Sequence, residues 1–371
     1  MRLASLAVLL GVAASCAHSD SGGTPPPPPP PAALQRATQD LLRAADARGQ
    51  AGTFSGVVLL AYRGQPLMEK AYGLADREAG TPVTTGTRFV TASVTQTFTA
   101  VAVMQLLADG KISAETTLGT LLSDVVRGDI SRVTVGQLLT HTGGVQGGVR
   151  SAAFRKDPAG FGRLDDYVQL AMSEPLKPGQ AFGYSDGGYA LLGRVVQRVS
   201  AEPFETYLGA HIFQPAGMLQ TAFRLRPPPS QLAHGYTTRD GGALTPNDRF
   251  LPTAASPGSA AASTAEDLLK FEEALRLHRL LEGGATADLL KGRVSTGLDA
   301  PNDRFGYGFF DGQVGTLHVI QHGGTGPGID VCFDLYPDLE ATLIILANLD
   351  PPAAQALRDV VRADLSAKPG A

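Results

Sequence analysis

Strand patterns lie at the two ends of this chain, and helical or loop patterns fill the space between. Ser55 to Tyr62 and Pro66 to Tyr72 read as two strands around the turn Arg63-Gly64. Four further strands are expected only late, at residues 306–310, 316–321, 328–335 and 342–348. Val331, Phe333 and Leu335 alternate with polar neighbours, whereas residues 343–346 are continuously apolar and suit a central strand. Residues 118–252 are rich in loops, glycine and short helices, with a longer helix pattern at 188–199. The sheet is therefore expected from about 34–117 and 253–371, with an inserted, mostly helical lobe at about 118–252.

Helical spacing recurs at Leu34, Ala37, Leu41, Leu42 and Ala45, and again over residues 133–139 and 353–366. Residues 264–278 form an amphipathic pattern with Ser263 or Thr264 as the cap and Glu266-Asp267 in the first turn. There is no internal repeat.

The chain has 371 residues, 43% apolar and 18% charged, with a formal net charge of −4. That suits one large or two intimate globular domains and is not basic enough for a nucleic-acid partner. No apolar run reaches the ~18–20 residues of a membrane-spanning helix. Cys16 and Cys332 are the two cysteines. One falls in the leader, so no internal disulfide is expected, and Cys332 reads as a buried apolar filler. Scattered histidines without ligand spacing suggest no metal, and no cofactor is expected.

Residues 1–16 read as an export signal: Arg2, an apolar stretch over 6–12, and the small residues Ala13-Ala14-Ser15. Cys16 after small residues resembles a bacterial lipoprotein signal, although Ala13 stands where such signals usually carry leucine. Residues 17–33 form a tether with seven consecutive prolines, Pro25 to Pro31. As polyproline II they would span ~20 Å at ~3.1 Å per residue. The expected location is the cell envelope, anchored through a lipid on Cys16, or simple secretion with cleavage near Ala17.

The stretch from Thr91 to Ala100 is the expected seat of chemistry. Small residues deliver Ser93 to the start of an apolar helix pattern, Val94, Phe98, Val101, Met104, Leu106 and Leu107, ending at Gly110. A serine there lies among unpaired backbone N–H groups and at the positive end of the helix dipole. A serine that only caps its helix is the alternative.

Several segments, in order from about Leu34 to Leu349, give the chain a specific resemblance. Arg88-Phe89-Val90-Thr91-Ala92-Ser93-Val94-Thr95-Gln96 resembles the nucleophile region of the serine β-lactamase, DD-peptidase and esterase superfamily, particularly its class C-like branch. Leu138-Leu139-Thr140-His141-Thr142-Gly143-Gly144 is similar to that branch's "LLTHTSG" segment. Pro178-Gly179-Gln180-Ala181-Phe182-Gly183-Tyr184-Ser185-Asp186 is similar to its Tyr-x-Asn segment, and Gln321-His322-Gly323-Gly324-Thr325 to its third motif. Ser263-Thr264-Ala265-Glu266-Asp267-Leu268 matches a recurrent helix start.

The resemblance implies an α/β (α+β) fold of the β-lactamase/transpeptidase type, an antiparallel sheet flanked by helices. It implies an acyl-enzyme formed at Ser93 from a small-molecule or peptide substrate with an ester or amide. Tyr184 would shuttle a proton, and His322 would sit beside it and face the substrate. The N–H groups of Ser93 and Thr325, with Gly324 beside them, would hold the oxyanion. Two positions depart from the pattern. Gln96 stands where the family carries lysine, so no base or positive charge lies one turn from Ser93. Asp186, at a substrate-binding position, stands where the family carries asparagine. Both changes disfavour deprotonation of Ser93 or Tyr184. The expectation is a weakened serine hydrolase, with a second possibility: a pseudoenzyme that binds peptidoglycan-like peptides or a protein partner without turnover. A Ser93–His322 couple tuned by Asp186 is the alternative proton route, and His141 reads as a brace for its loop.

Overall fold

The computed structural model describes residues 28–177, 181–226, 228–239, 241–299 and 301–367. The expected export signal with Cys16, the tether up to residue 27, and Pro178-Gly179-Gln180 lie outside these residues. The chain divides into the units Met1–Pro30 and Pro31–Ala371, and every element named belongs to the second.

The fold is α/β, an antiparallel sheet with helices packed on both faces. Its early strands are β1 (Gly56–Tyr62) and β2 (Gln65–Tyr72). The late ones are β3 (Val294–Ser295), β4 (Arg304–Phe305), β5 (Phe310–Val314), β6 (Leu317–Gln321), β7 (Gly324–Gly326), β8 (Ile329–Tyr336) and β9 (Ala341–Ala347). Among the described residues the order is β2-β1-β9-β8-β6-β5-β4-β3, with β7 paired to β8 off this path. The two ends of the chain meet where β1 lies antiparallel to β9, in register from Gly56↔Ala347 to Tyr62↔Ala341.

Period-two alternation assigns each side chain to a face. Val57, Leu59 and Ala61 join Ile344 and Leu346 in one core, while Val58 and Leu60 join Leu343 and Ile345 in the other. The helices that matter for the site are α1 (Ala32–Gln50), α2 (Thr95–Ala108), α3 (Val135–Leu139), α4 (Leu164–Ser173), α5 (Asp186–Ser200), α6 (Ala265–Arg276) and α7 (Gln355–Ser366). Leu34 and Leu41 of α1 and Leu357 and Val361 of α7 fill the second core. Helices α2, α5 and α6 belong to the first, and this is the side on which the site forms.

Two expectations change. Residues 306–310 do not form one strand: β4 ends at Phe305, β5 begins at Phe310, and these two residues pair across a hairpin. Gly308 makes the turn with a φ of +83°, and Tyr307 and Phe309, whose apolarity suggested a strand, are buried from the loop. The polar positions of β8 do not face water either. Asp330 accepts the Ala354 N–H at 2.8 Å and the Gln355 N–H at 3.2 Å at the start of α7. Asp334 accepts from Arg362 Nε at 2.8 Å, a fully covered ion pair. Alternation in β8 thus separates an apolar face from one that anchors α7. Cys332, on the same strand, is a buried free thiol.

Helix α2 is buried along nearly all its length. Phe98 packs edge-to-face on Phe271 at 4.9 Å and on Phe213 at 5.3 Å. Phe98→Ala is expected to cost ~3–5 kcal/mol of stability. Urea unfolding measures this, and a loss below ~1 kcal/mol would show that Phe98 does not anchor the helix.

Candidate active site

Ser93 sits in a 3-10 turn, Ala92–Val94, that leads directly into α2. It is partly exposed, while its neighbours in the turn are buried. The capping alternative does not hold, because Val94 occupies the cap position of α2 and no side chain bonds there. Ala92 has a φ of +44°, an unfavourable conformation for a residue with a Cβ. The segment around Ala261 holds it in place. Ala260 N–H donates to Ala92 O at 3.1 Å, and Thr91 N–H to Ala261 O at 2.7 Å. The Thr95 hydroxyl accepts from Ala261 N–H at 2.9 Å, and the Thr99 hydroxyl donates to Pro257 O at 2.6 Å. These bonds explain why an otherwise apolar buried helix carries threonines: each hydroxyl has a backbone partner.

Strand β7 comes against this turn. A Cβ on Gly324 would lie 2.3 Å from Thr91 O and 3.1 Å from Ser93 N, so only glycine allows the approach. His322 N–H donates to Phe333 O at 3.0 Å, and the register continues as Gly324↔Val331 and Thr325↔Asp330. Antiparallel alternation then directs the Gly324 N–H toward β8 and the Thr325 N–H away from it. The Ser93 N–H lies in the first turn of its helix, where donors lack intrahelical acceptors.

Beneath Ser93, Gln96 is fully buried and hydrogen-bonded at both ends of its amide. Ser185 N–H donates to His141 Nδ1 at 3.1 Å, so neutral His141 carries its proton on Nε2. That Nε2–H donates to Gln96 Oε1 at 3.1 Å. Gln96 Nε2 then donates to Asp186 Oδ1 at 3.2 Å and to Gly258 O at 3.3 Å. Every polarity in the chain is fixed by the backbone N–H at one end and the acceptors at the other. Asp186, expected at a substrate-facing position, is instead only 6% exposed. It lies under Gly148, where a Cβ would approach the aspartate Cβ to 2.5 Å. Burial raises its carboxyl to about 6, against the opposing pull of the Arg150 charge and of hydrogen bonds from Gln96 and the Val149 N–H. Burial also holds His141 well below the usual imidazole range, and the neighbouring His322 adds to this.

Tyr184 and His322 form the other wall. His322 Nδ1 donates to Gly308 O at 2.6 Å, which leaves the Nε2 lone pair for the Tyr184 hydroxyl at 3.1 Å. His322 is 1% exposed and therefore reaches the cleft through the phenol rather than facing it. Burial lowers His322 to about 4, with the Gly308 bond acting the other way. The Tyr184 phenol is pushed far above its usual range, first by burial and then by the Asp186 charge, while hydrogen bonding with Ser93 opposes this. It is a neutral phenol at physiological pH, hydrogen-bonded with His322.

The structure brings Ser93, Gln96, Tyr184, Asp186, His322 and the β7 edge together. It adds groups that spacing does not reveal. The carbonyls of Gly258 and Gly308 fix Gln96 and His322, and Arg150 lies with its Cζ 5.6 Å from the Tyr184 ring centroid. Backbone acceptors leave no residue-type signal, and Arg150 sits in a loop whose path the sequence does not give.

Over most of its length the chain is similar to known proteins. Residues 36–368 match the sequence model of the Beta-lactamase family. Penicillin-binding protein 4 of Amycolatopsis lactamdurans is 30% identical over 242 residues, 63% of this chain, and the chain spans only 61% of that relative's length. Esterase EstB of Burkholderia gladioli is 28% identical over 355 residues, covering 83% of this chain and 90% of the esterase. The crystal structure of a penicillin-binding protein from Bacillus halodurans superposes with a TM-score of 0.76 at 30% identity, covering 89% of this chain and 98% of that one.

Proposed function

The chain belongs to the Beta-lactamase family of serine hydrolases, and on that premise we propose that it transfers acyl groups from esters to water through Ser93, slowly, with Tyr184 and His322 carrying the proton that a lysine would otherwise take. The observation that carries this reading is the fixed lone pair of His322 Nε2, 3.1 Å from the Tyr184 hydroxyl. Ser93 Oγ attacks the ester carbonyl carbon. Its proton passes to Tyr184 Oη as the phenol's own proton passes to His322 Nε2. The new oxyanion is received by the Ser93 and Thr325 N–H groups. Collapse expels the alcohol, which recovers the proton along the same path and leaves acyl-Ser93. Water then repeats the sequence and releases the acid.

His322 at about 4 is neutral and free to accept at pH 7, but it is a weak base. That limits the rate and favours esters, whose leaving groups need less help from a proton than amide nitrogens. The test is turnover of a short-chain 4-nitrophenyl ester and a chromogenic cephalosporin by the wild type and by Ser93→Ala. Ester turnover lost in Ser93→Ala supports the reading; turnover retained in Ser93→Ala overturns it. The competing reading, a pocket that binds without turnover, draws on Gln96, whose fully occupied amide leaves no base beneath Ser93. A folded wild type inert toward every ester would favour it.

The same proposal places the chain outside the cytoplasm, lipidated at Cys16. The support is the leader, with Arg2, the apolar stretch over 6–12 and small residues before Cys16, followed by the proline tether. Metabolic labelling with a fatty acid is expected to mark the wild type and not Cys16→Ser. An unlabelled wild type removes the anchor.

A further inference from the structure

A cleft with a volume of ≈ 390 Å³ opens beside the nucleophile turn, bounded at one end by Ala92 and Thr325. Three arginines line it: Arg150 and Arg155 from the loop and short helix after the His141 segment, and Arg239 from a separate loop. Among the described residues no carboxylate lines this cleft. Arg150 lies over the Tyr184 ring and is the positive charge that acts on Asp186. Arg239 lies with its Cζ 5.9 Å from the Phe250 ring centroid. The guanidinium groups of Arg155 and Arg239 make no ion pair or hydrogen bond with the described residues, and both are exposed.

A solvated arginine on a surface is ordinary. Three from two separate segments converge on one concave site in a chain of net charge −4, and among the described residues that line it there is no carboxylate. A cleft lined by one sign of charge concentrates the opposite sign. The guanidinium fork matches a carboxylate, and an aromatic wall such as Phe250 suits an apolar body carrying that charge. The cleft volume also lies in the range of small-molecule sites.

We propose that this cleft is a carboxylate subsite, so that the esters taken at Ser93 carry a free carboxylate held by Arg150, Arg155 and Arg239 beyond Thr325. The inference rests on the reading of Ser93 as the nucleophile. That carboxylate is carried on the acyl group or on the leaving alcohol, and each source has its own arm in the test.

Two matched ester pairs decide this. Mono-4-nitrophenyl glutarate and 4-nitrophenyl pentanoate have the same chain length and differ by a terminal carboxylate on the acyl side. The acetyl ester of 3-hydroxybenzoate and that of 3-methylphenol differ by one on the leaving side. In the wild type at low salt, one anionic member is expected to exceed its neutral partner ~10–100-fold in kcat/KM, the effect of charge-assisted hydrogen bonds. The preference should fall toward one in the double variant Arg155→Gln/Arg239→Gln and at 0.5 M salt. Equal or lower kcat/KM for both anionic esters, or a preference unmoved in the double variant, overturns the subsite. If the wild type hydrolyses none of the four, the chemistry at Ser93 has failed and the subsite is judged by binding. Saturable calorimetric binding of glutarate, absent in the double variant and with unchanged thermal unfolding, keeps it; no binding to the wild type overturns it.

Discussion

Gln96→Lys is expected to raise ester turnover by ~10²–10⁴, the usual contribution of a positioned general base. The variant would place an amine one turn from Ser93 and within reach of Asp186, which already accepts from Gln96 Nε2 at 3.2 Å. In its protonated form the amine pairs with the buried carboxylate, and in its neutral form it can take the Ser93 proton. The same change has a cost. His141 receives the Ser185 N–H on Nδ1 and must donate from Nε2, and Gln96 Oε1 is its acceptor. A protonated lysine cannot accept that bond, and an unsatisfied buried donor costs about 1–3 kcal/mol. Higher kcat with a lowered melting temperature is the expected pair of readings. Gln96→Met, similar in length and without a base, should show the lowered stability and no gain. An equal gain in Gln96→Met would mean that the amide obstructs the site rather than standing in for a base.

The second large effect is an acidic optimum for ester hydrolysis. His322 must be neutral to receive a proton, so activity falls as pH drops through about 4. Asp186 holds its proton until pH rises through about 6. Above that, its charge pushes the Tyr184 phenol still higher and opposes the oxyanion, so activity falls again. The profile of kcat/KM should therefore peak between about 4 and about 6, with an alkaline decline on the order of tenfold, ~1.4 kcal/mol in the barrier. Asp186→Asn keeps the Gln96 contact as an amide and should flatten the alkaline limb. A wild-type rate that climbs steadily to pH 8 would contradict the roles of both groups.

Much of this site is legible in the chain because its chemistry is carried by side chains at local spacings. Ser93 and Gln96 lie three residues apart where a 3-10 turn runs into α2, Tyr184 and Asp186 flank the start of another helix, and His322 precedes a glycine-rich edge strand. The central place of β9 is legible for a similar reason, since residues 343–346 are continuously apolar, while the order of the other strands is not. What is hidden is what depends on the path of the backbone. The Gly308 turn breaks an apolar run that reads as a strand, and its carbonyl then sets the tautomer of His322. Asp330 and Asp334 look like solvent-facing alternation until α7 covers them. Asp186 looks like a ligand-facing residue until Gly148 closes over it. His141 is a brace in the sense expected, yet its partner is Gln96, 45 residues away, which no local pattern indicates.

The central claim is that Ser93 is a working nucleophile without a lysine beside it. Intact-protein and peptide mass spectrometry after incubation with a fluorophosphonate tests it most directly, since the adduct needs one attack and no turnover. The account predicts a single adduct on the peptide carrying Ser93, absent in Ser93→Ala, slower in Tyr184→Phe and faster in Gln96→Lys. An unmodified, folded wild type, or an adduct on any other residue, would contradict it.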